Sequence, residues 1–222
     1  PHCMGTLIWQ LNDTWPVCSW ASLDHGGGWK LLHHMSKAFY APVFVSAVPV
    51  AGGIELRAVN DGVAAVNLTV AAVAVAMDGA TRPLARATLS VGADAAVLAL
   101  TVASDQIGAD EMLAYVWLMD GQRVGGDVFA PKPYKAYDLL PPDLQHSIAA
   151  VGGGYEITIS AHALALFVAV EADQPGQFSH NAMTLFPGHA ATVTFTPAAP
   201  GVAPNFTLRD LHSATYGPQR KD

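Results

Sequence analysis

The sequence predicts a mainly β fold, with two antiparallel β-sandwiches preceded by a single βα unit. Three observations carry this. From Phe44 onward apolar residues alternate with polar ones, in short runs spaced about ten residues apart and separated by Gly, Asp and Asn turns. One stretch with four prolines, APKPYKAYDLLPPDLQ (Ala130–Gln145), divides those runs into two groups. Ahead of them, residues 5–42 follow a different pattern: one apolar run, one long loop and one helical repeat.

The elements follow in order. Thr6–Leu11 (TLIWQL) is short and mostly apolar, which suits a strand buried on both faces of a parallel sheet. Asn12, Asp13 and Pro16 break it, and the loop runs on to Gly26-Gly27-Gly28. In Trp29–Tyr40 apolar residues fall at 29, 32, 35 and 39, one face of a helix. Pro42 ends it, because the residue before proline avoids helical geometry. Strands are expected at Val43–Val50, Ile54–Asn60, Val66–Met77, Leu84–Val91, Ala95–Ala103, Met112–Asp120 and Arg123–Phe129. Asn60-Asp61-Gly62, Asp78-Gly79 and Asp120-Gly121 mark turns between them. The proline-rich stretch cannot be a central strand and reads as a connector. Beyond it, strands are expected at His146–Val151, Tyr155–Ala161, Leu164–Glu171, Met183–Phe186, Ala191–Thr196 and Phe206–Asp210. The expected division is a βα segment over 1–43, an immunoglobulin-like sandwich over 44–130, a connector over 131–145 and a second such sandwich over 146–222.

Composition narrows the function. The chain is 51% hydrophobic and 13% charged, so it is globular and not disordered. A net charge of −7 with no Lys/Arg cluster argues against nucleic acid as a partner. Apolar stretches such as Val66–Met77 are too short to cross a bilayer, so no membrane partner is expected. Cys3 and Cys18 make no disulfide framework, and no Cys/His spacing matches a zinc site. The Ala- and Val-rich composition suits a soluble bacterial protein, cytoplasmic or periplasmic/secreted. The opening Pro-His-Cys-Met-Gly, without initiator Met or signal pattern, fits a fragment or a processed chain.

Chemistry concentrates near the start. Four of the five tryptophans lie in residues 5–42, namely Trp9, Trp15, Trp20 and Trp29. If strand 6–11 closes a (β/α)8 barrel, its C-terminal end faces the active site. Gln10, Asn12, Asp13 and Trp15 then stand where binding groups are found. Aromatic faces stack on the C–H faces of a pyranose, while amides and carboxylates hydrogen-bond its hydroxyls.

The run GTLIWQLNDTWPVCSWASLDHGGGWKLLHHMSKAFYAPV resembles the end of the catalytic barrel in family 2 glycoside hydrolases of the β-mannosidase type. The matching pattern is G-[TA]-L-x-W-Q-L-N-D-x-W-P, then S-W-[AS]-S, G-x-W-K-x-L-H and F-[FY]-A-P. Pro175–Gly188, PGQFSHNAMTLFPG, resembles that family's late P-G-x-F-S-D-N-x-F-x-L-x-P-G segment, with His180 in place of Asp and Ala182-Met183 in place of a more aromatic pair. PKPYKAYDLLPP resembles its interdomain loop.

The resemblance implies the last βα unit of a (β/α)8 barrel followed by two immunoglobulin-like sandwiches. It implies retaining hydrolysis of terminal, non-reducing β-D-mannose residues, without cofactor or metal. Trp9, Gln10, Asn12, Asp13 and Trp15 would be substrate-binding. The implied partners are a mannose-containing oligosaccharide or β-mannoside, and the remainder of the same barrel. Retaining hydrolysis needs two carboxyl groups about 5–5.5 Å apart. The only glutamates are Glu55, Glu111, Glu156 and Glu171, and none has the family's catalytic context. The nucleophile and acid/base are therefore expected upstream, and the chain alone is expected to be inactive.

Other readings compete with this one. A sandwich could instead be a carbohydrate-binding or bracing module, with Trp117, Tyr115 and Tyr134 as its aromatics. A related family 2 enzyme acting on a glucosaminide or galactoside is the third reading. His33 and His34 point in different directions from a helix and cannot share an ion, and His33 reads as packing. Ser19 and Ser22 lack a G-x-S-x-G setting, and Gly26–Gly28 lacks the rest of a phosphate loop. Asn12, Asn67 and Asn205 each open an Asn-X-Thr triplet, which matters only in a secreted eukaryotic protein.

Overall fold

In the computed structural model, residues 5–201 and 203–217 are described. Cys3 lies outside them, and Cys18 is an exposed free thiol. Helix α1 (Leu31–Phe39) is followed by strands β1 (Val43–Val50), β2 (Gly53–Asn60), β3 (Val66–Ala76), β4 (Thr81–Val91), β5 (Ala95–Ala103), β6 (Glu111–Met119) and β7 (Gln122–Phe129). After the connector come β8 (Gln145–Val151), β9 (Gly154–Ser160), β10 (Ala165–Ala172), β11 (Gly176–Phe178), β12 (Met183–Leu185), β13 (Ala191–Pro197), β14 (Phe206–Arg209) and α2 (Leu211–Tyr216).

The strands form four antiparallel sheets, ordered β1-β2-β5, β4-β3-β6-β7, β12-β10-β14 and β11-β13-β9-β8. Alternation builds the cores. Along β3, Leu68, Val70 and Ala72 are buried and meet Val45, Leu56, Leu113 and Trp117 from the other strands of the first half. In the second half Ile157, Ile159, Val168, Val193 and Phe195 form the equivalent core. This is the mainly β, immunoglobulin-like architecture the sequence predicts.

Local chemistry explains the joints. Asp120 and Gly121 both take positive φ (50° and 78°), as a two-residue turn between β6 and β7 requires. Pro83 lies on the edge strand β4, where its missing N–H costs no central ladder bond. Gly125 faces Trp117 across the β6–β7 ladder. A methyl group at 125 would sit 2.1 Å from the indole, so glycine is what lets that ring lie there.

A third apolar cluster ties the halves together. Val75, Met77 and Met112 of the first half meet Leu164 and Leu166 of the second, with Tyr137 of the connector among them. The Leu164 N–H donates to the Met77 carbonyl across this seam (3.2 Å). The connector is thus partly core, and the Lys132 ammonium sits 4.2 Å from the centre of the Tyr137 ring.

Three features differ from expectation. Residues 6–11 join no ladder; their stretch holds only isolated bridges, Asn12 to Leu23 and Leu23 to Trp29. A strand buried on both faces needs neighbours on both edges, and the described residues supply none. β11 is three residues long, too short to show a period. α2 is a six-residue turn defined by its cap: the Asp210 carboxylate accepts from the His212 and Ser213 N–H groups. Among the described residues, no helix is long and apolar enough to cross a membrane.

Phe195 is the largest fully buried side chain and sits against Phe178 and Phe206. Phe195→Ala is expected to cost about 3–5 kcal/mol. Urea denaturation of the chain and the variant measures this.

Candidate functional site

Residues 5–30 form a folded loop lying against α1. Backbone bonds close it: Ser22 N–H to the Gln10 carbonyl (3.1 Å), Leu23 N–H to Leu11 (2.8 Å), Asp13 N–H to Leu23 (3.2 Å) and Lys30 N–H to Ser22 (3.0 Å). The Trp9–Gln10 peptide bond is cis. Three indoles project outward, with Trp9, Trp15 and Trp20 exposed by 78, 65 and 69%. Trp29 instead turns inward, with its ring 4.4 Å from that of His33 and 5.1 Å from that of His34.

The polar residues divide into two groups. Gln10 and Asn12 sit near the surface, where the Gln10 Nε2 donates to the Asn12 carbonyl (2.9 Å) and the Asn12 Nδ2 to the Asp13 carbonyl (3.2 Å). Asp13 is different. It is 4% exposed and its carboxylate is fully engaged. The Lys30 Nζ donates to Oδ2 at 2.7 Å, and the Ser19 hydroxyl donates to Oδ1. These two donors hold the Asp13 carboxyl below the usual carboxylate range, the Lys30 hydrogen bond contributing most. The sequence pattern points to Asp13 as a sugar ligand, whereas in this chain its oxygens are occupied from inside the loop.

Residues not singled out as binding groups hold this arrangement. Ser22, buried, donates its hydroxyl to the Leu11 carbonyl (2.9 Å) and lies 3.1 Å from the His33 Nδ1. A Ser22 hydroxyl that donates to Leu11 accepts from Nδ1, so the His33 tautomer protonated at Nδ1 is the one consistent with both contacts. His33 is therefore a hydrogen-bonding partner of the loop and not simple packing. Its signal in the sequence is the three-residue spacing from Lys30, one turn of helix.

His33, His34 and Lys37 share one side of α1 with Lys30, the residue just ahead of it; His34 is buried and Lys37 exposed. The apolar residues of α1, Leu31, Leu32, Met35 and Phe39, are each more than a third exposed. Lys37 reaches the last sandwich, donating to the Ser179 carbonyl (3.3 Å), and Ser179 in turn bonds the His180 Nδ1 (3.0 Å).

The aromatics offered for a binding module lie elsewhere. Trp117 and Tyr115 are core residues, and Tyr134 packs edge-on against Phe167. Three of the four glutamates are paired with arginines: Glu55 with Arg57 (2.6 Å), Glu111 with Arg82 (2.7 Å), and Glu171 with Arg209. Among the described residues no His/Cys/Asp/Glu group is arranged to hold a metal ion.

Parts of this chain resemble known proteins. Residues 139–214 match the family model Ig_mannosidase, an Ig-fold domain. Mouse β-mannosidase is 57% identical over 42 residues, 19% of this chain and 5% of that protein. Aspergillus niger β-mannosidase A is 51% identical over 43 residues, again 19% and 5%. The chain thus matches only a small part of the length of these relatives. The crystal structure of a β-D-mannosidase from Dictyoglomus thermophilum superposes with a TM-score of 0.78 at 17% identity, over 91% of this chain and 26% of that one. An exo-chitosanase from Amycolatopsis orientalis gives 0.73 at 19% identity, over 91% and 29%. These superpositions establish a fold of immunoglobulin-like sandwiches shared with glycoside hydrolases. The sequence matches make residues 139–214 similar to the Ig_mannosidase domain and a stretch of 42–43 residues similar to β-mannosidases.

His34 supplies a pH test of the α1 junction. It is 6% exposed, and its Nδ1 has no hydrogen-bond partner among the described residues. Burial, reinforced by the charges of His33, His180 and Lys37, pushes its pKa down to about 4. The unfolded imidazole titrates near 6.5, so it takes its proton before the folded one does. The contribution of His34 to stability is therefore greatest above about pH 6.5, falls towards about pH 4 and levels off below it. Between pH 7 and 4.5 the native chain is expected to lose about 2 kcal/mol more than His34→Phe, measured by urea denaturation at both values.

Proposed function

We propose that this chain is the sugar-facing end and bracing region of a retaining, exo-acting β-mannosidase that removes terminal non-reducing β-D-mannose. The observation that carries the reading is the outward display of Trp9 and Trp15 beside Gln10 and Asn12, on a loop closed by its own hydrogen bonds. A flat indole offers a stacking face for a pyranose, and the neighbouring amides offer donors and acceptors for its hydroxyls. Asp13 belongs to the same subsite as the group beneath it. The catalytic glutamates lie upstream, and the chain alone does not turn over substrate.

The remainder of the barrel is the partner of this segment. The exposed row Leu31, Leu32, Met35 and Phe39, together with Leu7 and Leu11, gives it an apolar surface to cover. The β-mannosidase relatives favour mannose, while the fold is shared with an exo-chitosanase and leaves glucosaminides and galactosides as the alternative. The burial of Trp117 and Tyr115 argues against a stand-alone binding module built on those rings.

Two outcomes are expected. The full-length protein releases mannose from a p-nitrophenyl β-mannoside with retained configuration, in preference to the matched glucosaminide and galactoside, followed by NMR. In that protein Trp9→Ala lowers kcat/KM at least about tenfold, or about 1.4 kcal/mol. An unchanged kcat/KM would remove Trp9 from the subsite.

A further inference from the structure

Lys30, just ahead of α1, and His33, in its first turn, each end on a different point of the same loop. The Lys30 ammonium reaches the Asp13 Oδ2 (2.7 Å) and lies 3.5 Å from both the carbonyl and the hydroxyl of Ser19. The His33 ring reaches Ser22 (3.1 Å). These contacts bracket the region that displays Trp9, Gln10, Asn12 and Trp15. Ser22 passes the His33 contact to the carbonyl of Leu11, between Gln10 and Asn12 in sequence. Asp13 itself adjoins Asn12 and sits two residues before Trp15.

Both contacts are directional. A buried carboxylate is stable only when its oxygens are paired, so Asp13 follows Lys30 and Ser19. Ser22 is buried and spends its single proton on backbone, so it depends on an outside donor for its remaining lone pair. Lys37 and His34, on the same helix, do not hold the loop in this way. Lys37 reaches Ser179, and the His34 Nδ1 has no partner among the described residues.

We propose that Lys30 and His33 are positioning residues for the sugar-facing loop, acting through Asp13, Ser19 and Ser22 and not by touching the sugar. Asp13 thereby becomes a strut of the subsite instead of one of its ligands. The inference rests on reading that loop as a mannose subsite.

The test uses the 222-residue chain and two measurements. The first is amide hydrogen exchange at Asp13, Ser22 and Leu23, whose N–H groups close the loop. Lys30→Met and His33→Phe are each expected to speed exchange there at least tenfold, with Val70 and Val168 unchanged. Lys30→Arg, which keeps the charge, restores protection. The second is saturation transfer from the chain to methyl β-D-mannoside, expected to fall at least threefold in both disruptive variants and to recover in Lys30→Arg. Unaltered exchange in the variants overturns the proposal, as does undiminished transfer despite faster exchange. No transfer from the unaltered chain overturns the sugar reading itself, and the positioning role with it.

Discussion

Residues 5–40 depend on which side of α1 faces the rest of the chain. A short amphipathic helix ordinarily buries its apolar stripe. Here the buried residue of the helix is His34, His33 and the preceding Lys30 are half-buried, and Leu31, Leu32, Met35 and Phe39 stay partly in water, as does Lys37. Polar contacts therefore hold the helix to the loop and to the last sandwich: ammonium to carboxylate, imidazole to hydroxyl, ammonium to carbonyl. Such contacts fix direction as well as distance, which suits a segment that must hold a constellation in place. They also leave the apolar stripe free for another surface.

The sandwiches do the complementary work. Their cores follow from alternation, and their junction is a continuous apolar cluster through Tyr137 and Leu164. Close-packed interiors transmit position with little give. The Ser179 carbonyl that receives Lys37 lies just past β11, which pairs with β13 in the core sheet of the last sandwich. The site-bearing loop is thereby linked, through one helix, to a rigid support well away in sequence.

Much of the β architecture was legible because a period of two has a single cause. Buried positions along β13 alternate in the structure as they do in the sequence, and along β3 burial alternates from Leu68 to Ala74. Legibility ended where a side chain's partner is remote. TLIWQL reads as a strand, but strand formation needs neighbours, and none pairs with it here. Trp117 and Tyr115 sit on a strand with aromatic spacing, and only the opposing sheet shows them to be core. Asp13 carries the same letter whether it meets a sugar or a lysine seventeen residues away, and only the tertiary contact separates the two. α2 leaves no periodic trace in the sequence, because its cause is a cap of one carboxylate and two N–H groups.

The sequence by itself determined the class of fold and the concentration of aromatic and amide groups in residues 5–42. Each of these follows from local pattern and composition. The tertiary structure decided which of those groups face outward and which hold the others. Trp9, Trp15, Gln10 and Asn12 stand at or near the surface, while Asp13, Ser19, Ser22, Lys30 and His33 bond one another beneath it. The physical reason is that exposure and ion pairing are properties of neighbours brought together by folding. Residue order constrains those neighbours but does not name them.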